Sequence, residues 1–245
     1  MTVRSHRKID QAGGRTIVIG DIHGCLVEFE ELLGLVGARE SDLIVAVGDL
    51  IDRGPASWEV ARIFRDRANF HTVIGNHERR LAGTVRGTSQ PAWTQRQTLS
   101  LLTKGEREDW ATWLEELPAV ISTRHAIVTH ARLDPALTLD LQDRKHCAAT
   151  GAAIERSAEG LPLWYHEWAG RNPSERRPIV LGHLAYERID LVPERLYAID
   201  TYGASGGRLT ALVLPGFEIV SVPCPDYTTQ ARVAWNADRR HKEVD

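Results

Sequence analysis

Asp21, Asp49, Asn76, His130 and His183 share one context: each closes a short apolar run, in TIVIGD, LIVAVGD, TVIGN, AIVTH and IVLGH. His23 lies two residues past Asp21. Taken singly, a polar residue after a strand is an ordinary loop residue. In series they form a constellation, because buried carboxylate and imidazole groups are costly unless paired or metal-bound. Two Asp, one Asn and three His suit Mn, Fe or Zn, a mix of hard and borderline donors. Six ligands exceed one tetrahedral site. A shared carboxylate would bridge two ions about 3.5–4 Å apart, the spacing of two-metal hydrolytic sites.

The elements that must carry these residues follow from periodicity. Residues 16–20, 43–47 and 70–74 are β-branched-rich and predict strands. CLVEFEELLGLVG lies between the first two. PASWEVARIFRDR, with Pro55 at the expected helix start, lies between the next two. The β-α-β-α-β order predicts a mainly parallel sheet. Right-handed crossovers put the strand ends on one edge, where open α/β sheets bind ligands. Residues 93–117 predict helix with three Trp, either a packing pair or part of a cap-like insertion over about 85–117. RLYAIDTYGASGGRLTALVLPGFEIVSVP predicts an antiparallel meander turning at GASGG and PG. GASGG is not a P-loop, since no GK[ST] follows and a strand comes next. Residues from about 226 to 245 read as a polar tail, and 1–245 as a single domain.

The bulk numbers narrow the classes. The 245 residues are 42% hydrophobic and 26% charged, ordinary for a globular protein. A net charge of −3 gives no general electrostatic case for binding a nucleic-acid backbone. Only Lys8, Lys104, Lys145 and Lys242 are Lys among 30 basic residues. Cys25, Cys147 and Cys224 form no CxxC pair and fit a reducing compartment. The basic start has no apolar stretch of signal-peptide type, and no apolar run reaches membrane-spanning length. The expectation is a cytoplasmic protein with no membrane association and no evident obligate protein partner.

GDIHG, GDLIDRG, GNHE and the later TH and GH, in this order, resemble the calcineurin-like metallophosphoesterases, and within them the PPP-type phosphatases. The resemblance runs from about residue 15 to about residue 224. It implies a metallophosphoesterase-type α/β fold: a β-sandwich of mixed sheets flanked by helices, four layers α-β-β-α, with a dimetal site at its edge. That revises the plain parallel sheet. Carried over, Asp21 and His23 would bind a first divalent ion, Asp49 would bridge, and Asn76, His130 and His183 would complete the second. Mn2+ is the expected ion, with Fe or Zn as alternatives. Asp52 resembles the residue that orients a catalytic histidine, Arg53 one that grips phosphate, and His77 the general acid. Asn76 would also touch phosphate. Chemistry supports each role: guanidinium offers paired donors to phosphate oxygens. A positioned imidazole can protonate a leaving alkoxide, and a carboxylate fixes its tautomer.

The departures bear on substrate. Protein-directed members usually read RGNHE, and here Ile74 stands in the Arg place. HARLD puts Arg132 where HAG is usual, and GHLAYE replaces GHT. GDIHGC and the IDTYGASGG.LTAL stretch are more similar to symmetrical diadenosine tetraphosphatases and to phosphatase domains of bacterial polynucleotide kinase-phosphatases. Arg132 either supplies the missing phosphate contact or faces solvent from its loop. LPLWYHEWAG, residues 161–170, either stacks a substrate base or packs. Cys25 and the remaining histidines read as packing or surface residues. The function expected is a dinuclear phosphoester hydrolase, in which a metal-bound hydroxide attacks phosphorus in line. The substrate leans to a nucleotide or nucleic-acid end. The alternatives are a serine/threonine phosphoprotein phosphatase and a non-enzymatic metal-binding scaffold. A scaffold would not need Asp52, Arg53 and His77 together.

Overall fold

The computed structural model of the chain describes residues 5–9, 13–149, 155–185 and 188–242, with side chains up to residue 236. The ends of the expected single domain, 1–4 and 243–245, lie outside the described residues, as do Tyr186 and Glu187 of the last motif. The strands are β1 (His6–Ile9), β2 (Thr16–Ile19), β3 (Leu43–Ala46), β4 (Phe70–Thr72), β5 (Val120–Thr123), β6 (Ile127–Thr129), β7 (Ile179–Leu181), β8 (Asp190–Val192), β9 (Leu196–Ala198), β10 (Arg208–Leu214) and β11 (Glu218–Pro223). The helices are α1 (Leu26–Leu35), α2 (Ser57–Asp66), α3 (Asn76–Val85), α4 (Trp93–Ser100), α5 (Lys104–Glu115), α6 (Arg144–Cys147), α7 (Leu163–Arg171) and α8 (Tyr227–Lys242).

Two mixed sheets form. One has the order β11-β10-β2-β3-β4, the other β1-β5-β6-β7-β9-β8. The three parallel strands β2, β3 and β4 are neighbours in register, with Ile17 opposite Ile44 and Ile44 opposite Phe70. In the other sheet β6 and β7 run parallel, with Val128 opposite Val180.

Period-two alternation explains why the strands are apolar on both faces. Val18, Val45, Val128, Val180 and Leu212 point inward and make the core between the sheets. Ile17, Ile19, Ile44 and Ala46 point outward under Phe29, Leu32, Trp58 and Leu81 of the helices on that side. Ile127, Ile179 and Leu181 point outward under Trp164, Tyr165 and Trp168 of α7. The layers are therefore helix, sheet, sheet, helix, and both strand faces are buried by physical necessity. Truncating a buried aliphatic such as Ile44 to Ala would cost about 2–5 kcal/mol.

The structure corrects two expectations. Residues 196–223 do not make one meander: β9 belongs to the second sheet, while β10 and β11 form a hairpin in the first. The chain crosses between sheets at GASGG, where Gly203–Ser205 form a 3-10 turn between left-handed Tyr202 and Gly206. Such a turn redirects the chain instead of folding it back on itself. The segment expected as a polar tail is helical over Tyr227–Lys242. It docks on α4, where Gln97 Nε2 donates to Ala231 O and Arg232 lies over the Trp93 ring. Residues 93–117 hold two helices, because Thr103 caps α5 by accepting from Glu106 N while Glu106 accepts from Thr103 N. No helix among the described residues is long and apolar enough to cross a membrane.

Candidate metal centre

Asp21 and His23 follow β2, Asp49 follows β3 and Asn76 opens α3 just after β4, whereas His130 follows β6 and His183 follows β7. Strand ends from both sheets thus bring all six side chains to one edge of the sandwich. His23, Asp49, Asp52, Arg53 and His183 all have positive φ. Left-handed backbone is uncommon for residues with a Cβ and costs of order 1 kcal/mol or more. Such a concentration marks a site whose geometry is over-determined by its surroundings.

Close approach explains the glycine before the polar residue in two motifs. A Cβ on Gly75 would lie 2.1 Å from Asp49 Oδ1, and one on Gly182 would lie 2.0 Å from Asp21 Oδ1. Gly75 and Gly182 are therefore the space into which the two carboxylates fit.

Asp49 is the hub. Its Oδ2 is 3.7 Å from His23 Nε2 and 3.5 Å from His130 Nε2, and its Oδ1 accepts from His77 N at 3.0 Å. Two donor trios share it: His23, Asp49 and His77, and Asp49, His130 and His183, with each trio's atoms within 4.8 Å of one another. Asp21 falls in neither trio; both its oxygens accept from His183 N at 3.2 Å. His77, read from sequence as the acid and not as a ligand, is the third member of the first trio.

The donor set fits divalent cations. His23 Nδ1 donates to Ile51 O at 2.8 Å and His130 Nδ1 donates to Val47 O at 2.7 Å. Each bond fixes a tautomer that turns the Nε2 lone pair into the site, as outer partners of metal-ligating histidines do. His130 Nε2 and Asn76 Oδ1, both lone-pair atoms as oriented, then face each other at 2.9 Å. A cation reconciles that pairing. Burial, then the nearby Arg53, lowers His23 well below the usual imidazole value, and burial brings His183 down to about 4, so both imidazoles are neutral at pH 7. Burial pushes Asp49 up, but the surrounding imidazoles outweigh it and hold Asp49 below the usual carboxylate range. Burial together with Asp200 and Asp49 raises Asp21 well above that range. Crowded buried carboxylates of this kind call for positive charge.

Beside the hub lies a second group. His77 Nδ1 is 2.7 Å from Asp52 Oδ2, and Arg53 NH2 is 3.4 Å from His77 Nε2. Burial lowers His77, but Asp49 and Asp52 outweigh it and the net shift is upward. Asp52 is fully buried, and its other oxygen accepts from Thr98 Oγ1 at 2.6 Å. Gln95 Nε2 donates to His77 O at 3.1 Å. Helix α4 thus braces the pair. Glu78 accepts from the backbone N–H groups of Asp49, Leu50, Ile51 and Gly75 and ties the hub loop to α3.

Two sequence suggestions resolve differently. The Arg132 guanidinium hydrogen-bonds His146 O at 3.4 Å and His146 Nδ1 at 3.2 Å, so its partner sits on α6 and not at the hub. Trp164, Tyr165 and Trp168 are buried in the outer core of the second sheet, which is the packing reading of residues 161–170. Sequence reasoning missed Asp200, whose negative charge helps raise Asp21. It also missed Thr98 and Gln95. Asp200 had the same signal as the others, since it ends the apolar run LYAI.

A helix-flanked sandwich with metal-type donors at the seam of its sheets defines a class, that of the metallophosphoesterases. The chain belongs to the calcineurin-like phosphoesterase family, matched over residues 14–203. It is similar to the symmetrical bis(5'-nucleosyl)-tetraphosphatase of Tolumonas auensis, 36% identical over 165 residues, covering 65% of this chain and 58% of that protein. A protein of the same description from Pectobacterium carotovorum is 32% identical over 201 residues, 80% of this chain and 69% of the relative. The chain therefore spans less than two thirds of the first relative's length. Among solved structures, one described as a candidate diadenosine tetraphosphatase superposes with a TM-score of 0.72 at 29% identity, covering 91% of this chain and 99% of that one. A Saccharomyces cerevisiae serine/threonine phosphatase with similarity to human PP5 gives 0.65 at 18% identity, covering 90% and 84%, a likeness of fold.

Proposed function

We propose that the protein is a metal-dependent phosphoester hydrolase acting on nucleotide-like phosphates, with a dinucleoside polyphosphate as the first candidate. The observation that carries the hydrolase reading is the junction of two donor trios through Asp49, with Asp52 and Arg53 flanking His77 of the first trio. Asp21, His23, Asp49, Asn76, His130 and His183 would hold two divalent ions. Mn2+ suits the mix of carboxylate, amide and imidazole donors. When bound, such ions polarise phosphoryl oxygens and lower the pKa of a coordinated water.

This chain's own residues do the rest. Arg53 and Asn76 grip the phosphate oxygens. His77, protonated at Nε2, faces the oxygen that leaves as the P–O bond to it breaks and a bond from water to phosphorus forms. Its proton passes to that oxygen, and the attacking water gives up a proton to solvent, from which His77 is reprotonated. Asp52 holds Nδ1–H, keeps the ring in register and stabilises its charge, and Thr98 holds Asp52. Three elements of a working acid are thus present beside the hub, which favours an enzyme over a metal-binding scaffold.

The substrate reading rests on Ile74, buried where protein-directed relatives carry an Arg, and on the names of the tetraphosphatases to which the chain is similar. A charged hydrogen bond lost there is worth about 1.5–3 kcal/mol. That loss matters least for a substrate with further phosphates or a base to hold. A symmetrical cut of a dinucleoside tetraphosphate leaves two nucleoside diphosphates. Three buried free cysteines fit a reducing compartment, the cytoplasm. The test compares kcat/KM for diadenosine tetraphosphate, a 3′-phosphorylated oligonucleotide and a phosphopeptide in Mn2+. The expected order has a nucleotide first by at least tenfold; a phosphopeptide ahead of both would replace this reading with a phosphoprotein phosphatase.

A further inference from the structure

A cavity of about 470 Å³ opens beside Arg53, between the start of α2, helix α4 and the C-terminal helix α8. That volume is of the order of small-molecule sites, about 300–1,000 Å³. Arg53 is the one charged residue among its described lining. The remaining wall is amide, hydroxyl and apolar. Gln97 and Gln230 supply amides, Thr94 and Ser100 hydroxyls, and Leu101 and Ala231 apolar surface.

The composition discriminates between occupants. A groove for further phosphates would be lined by several cations, and this one has a single guanidinium among its described lining. An acidic phosphopeptide would meet the same shortage. A nucleoside needs an apolar face for its base, amides for its edge and hydroxyls for its sugar, and those groups are here. Gln is suited to paired hydrogen bonds with an adenine edge. Leu101 is 66% exposed and leaves apolar surface for a base to cover.

The walls are held in place. Gln97 Nε2 donates to Ala231 O at 3.3 Å, which fixes α8 against α4. Tyr227 OH donates to Glu28 Oε1 at 2.9 Å, anchoring the start of α8 on α1. Thr98 lines the cavity and bonds Asp52, so one helix touches both the groove and the acid pair.

We infer that the cavity between α4 and α8 is the nucleoside subsite, holding the nucleoside attached to the phosphate that Arg53 grips. The inference rests on the proposed function and supplies its specificity element: the C-terminal helix selects nucleotide over simple phosphate ester. The probe is adenosine 5′-diphosphate, with inorganic phosphate as the control for the phosphate site.

Calorimetric titration of the Mn2+-loaded full chain is expected to give tighter binding of the diphosphate than of phosphate. Ala231→Trp, which fills the groove, is expected to weaken the diphosphate at least tenfold more than it weakens phosphate. Gln230→Ala, at an exposed position, is expected to weaken it about threefold or more, and it decides the matter should the larger substitution dislodge α8. In hydrolysis, the ratio of kcat/KM for diadenosine tetraphosphate to that for p-nitrophenyl phosphate is expected to drop at least tenfold in Ala231→Trp. Equal weakening of both ligands in both variants, or diphosphate binding no tighter than phosphate in the wild type, overturns the subsite. Wild-type protein that binds the diphosphate through these residues yet prefers phosphopeptide turnover would sink the proposed function and leave the subsite standing.

Discussion

Asp52 stands between two partners, with Oδ2 2.7 Å from His77 Nδ1 and Oδ1 2.6 Å from Thr98 Oγ1. A carboxylate pinned from behind holds the imidazole at one tautomer and one angle. His77→Ala is therefore expected to cut hydrolysis of alkyl phosphates by about 10²–10⁴-fold. Nitrophenyl phosphate, whose leaving group needs no proton, should suffer far less. Thr98→Val should follow the same pattern at about tenfold, the value of one hydrogen bond. Steady-state rates on the two ester types make the comparison. An equal loss on both would turn His77 from proton donor into phosphate positioner.

Asp49 is the one side chain common to both donor trios. Asp49→Asn removes the negative charge that two cations would share. Metal analysis after Mn2+ loading and desalting is expected to find at most one equivalent per chain, against two in the wild type. Two equivalents retained in the variant would remove Asp49 from the bridging position.

Gly75→Ala tests the fit from the backbone side. The added Cβ would meet Asp49 Oδ1 at 2.1 Å and Asp49 N at 2.4 Å. The Asp49 carboxylate and its backbone must then both shift, so Mn2+ affinity, read by titration of the purified variant, should fall at least tenfold.

The candidate ligands were legible because five of the six close a run of strand-forming residues, and His23 lies two residues past the first of them. That pattern depends only on neighbours in the chain. What sequence could not give was which sheet each strand joins. Asp200 was passed over because residues 196–214 read as one ribbon, and only contacts between distant segments send β9 and β10 to different sheets. Thr98 and Gln95 look like ordinary polar positions of a helix until α4 is laid across the Asp52–His77 pair. The helix α8 was hidden for another reason. Its side chains are largely polar or small, so its docking on α4 leaves little periodic trace in TTQARVAWN. Strands β1, β5 and β8 have only three or four residues each and left no firm trace.

Away from the site, Asp42 is buried and takes a 2.6 Å ion pair from Arg15 NH2, with further bonds from Arg15 N and Arg39 N. Burial raises its pKa, but Arg15 and the backbone donors outweigh it, and the net value is depressed. The contribution is complete at neutral pH, above the unfolded carboxyl value of about 3.9. It is lost as pH falls through the lower folded value, because the unfolded chain takes up its proton first. Asp42→Asn is expected to lower stability at pH 7 by about 1.5–3 kcal/mol. The gap to the wild type should narrow on acidification. Urea unfolding at pH 7 and at pH 3.5 reads both quantities.

The six candidate ligands hang from two separate sheets, and Asp21 and His183, 162 positions apart, meet across the seam. A cation seated there would work as a clasp. It binds the closed sandwich and has no counterpart in the open chain, so its affinity is added to the folding free energy. At about a hundred times its dissociation constant, each ion would contribute roughly 2.7 kcal/mol. The melting temperature should therefore climb with Mn2+ concentration and drop under chelation, in step with the metal content that the reaction requires. Starvation for metal would then expose the chain to proteolysis at the same concentrations that silence it, so that its lifetime in the cell tracks its readiness to act.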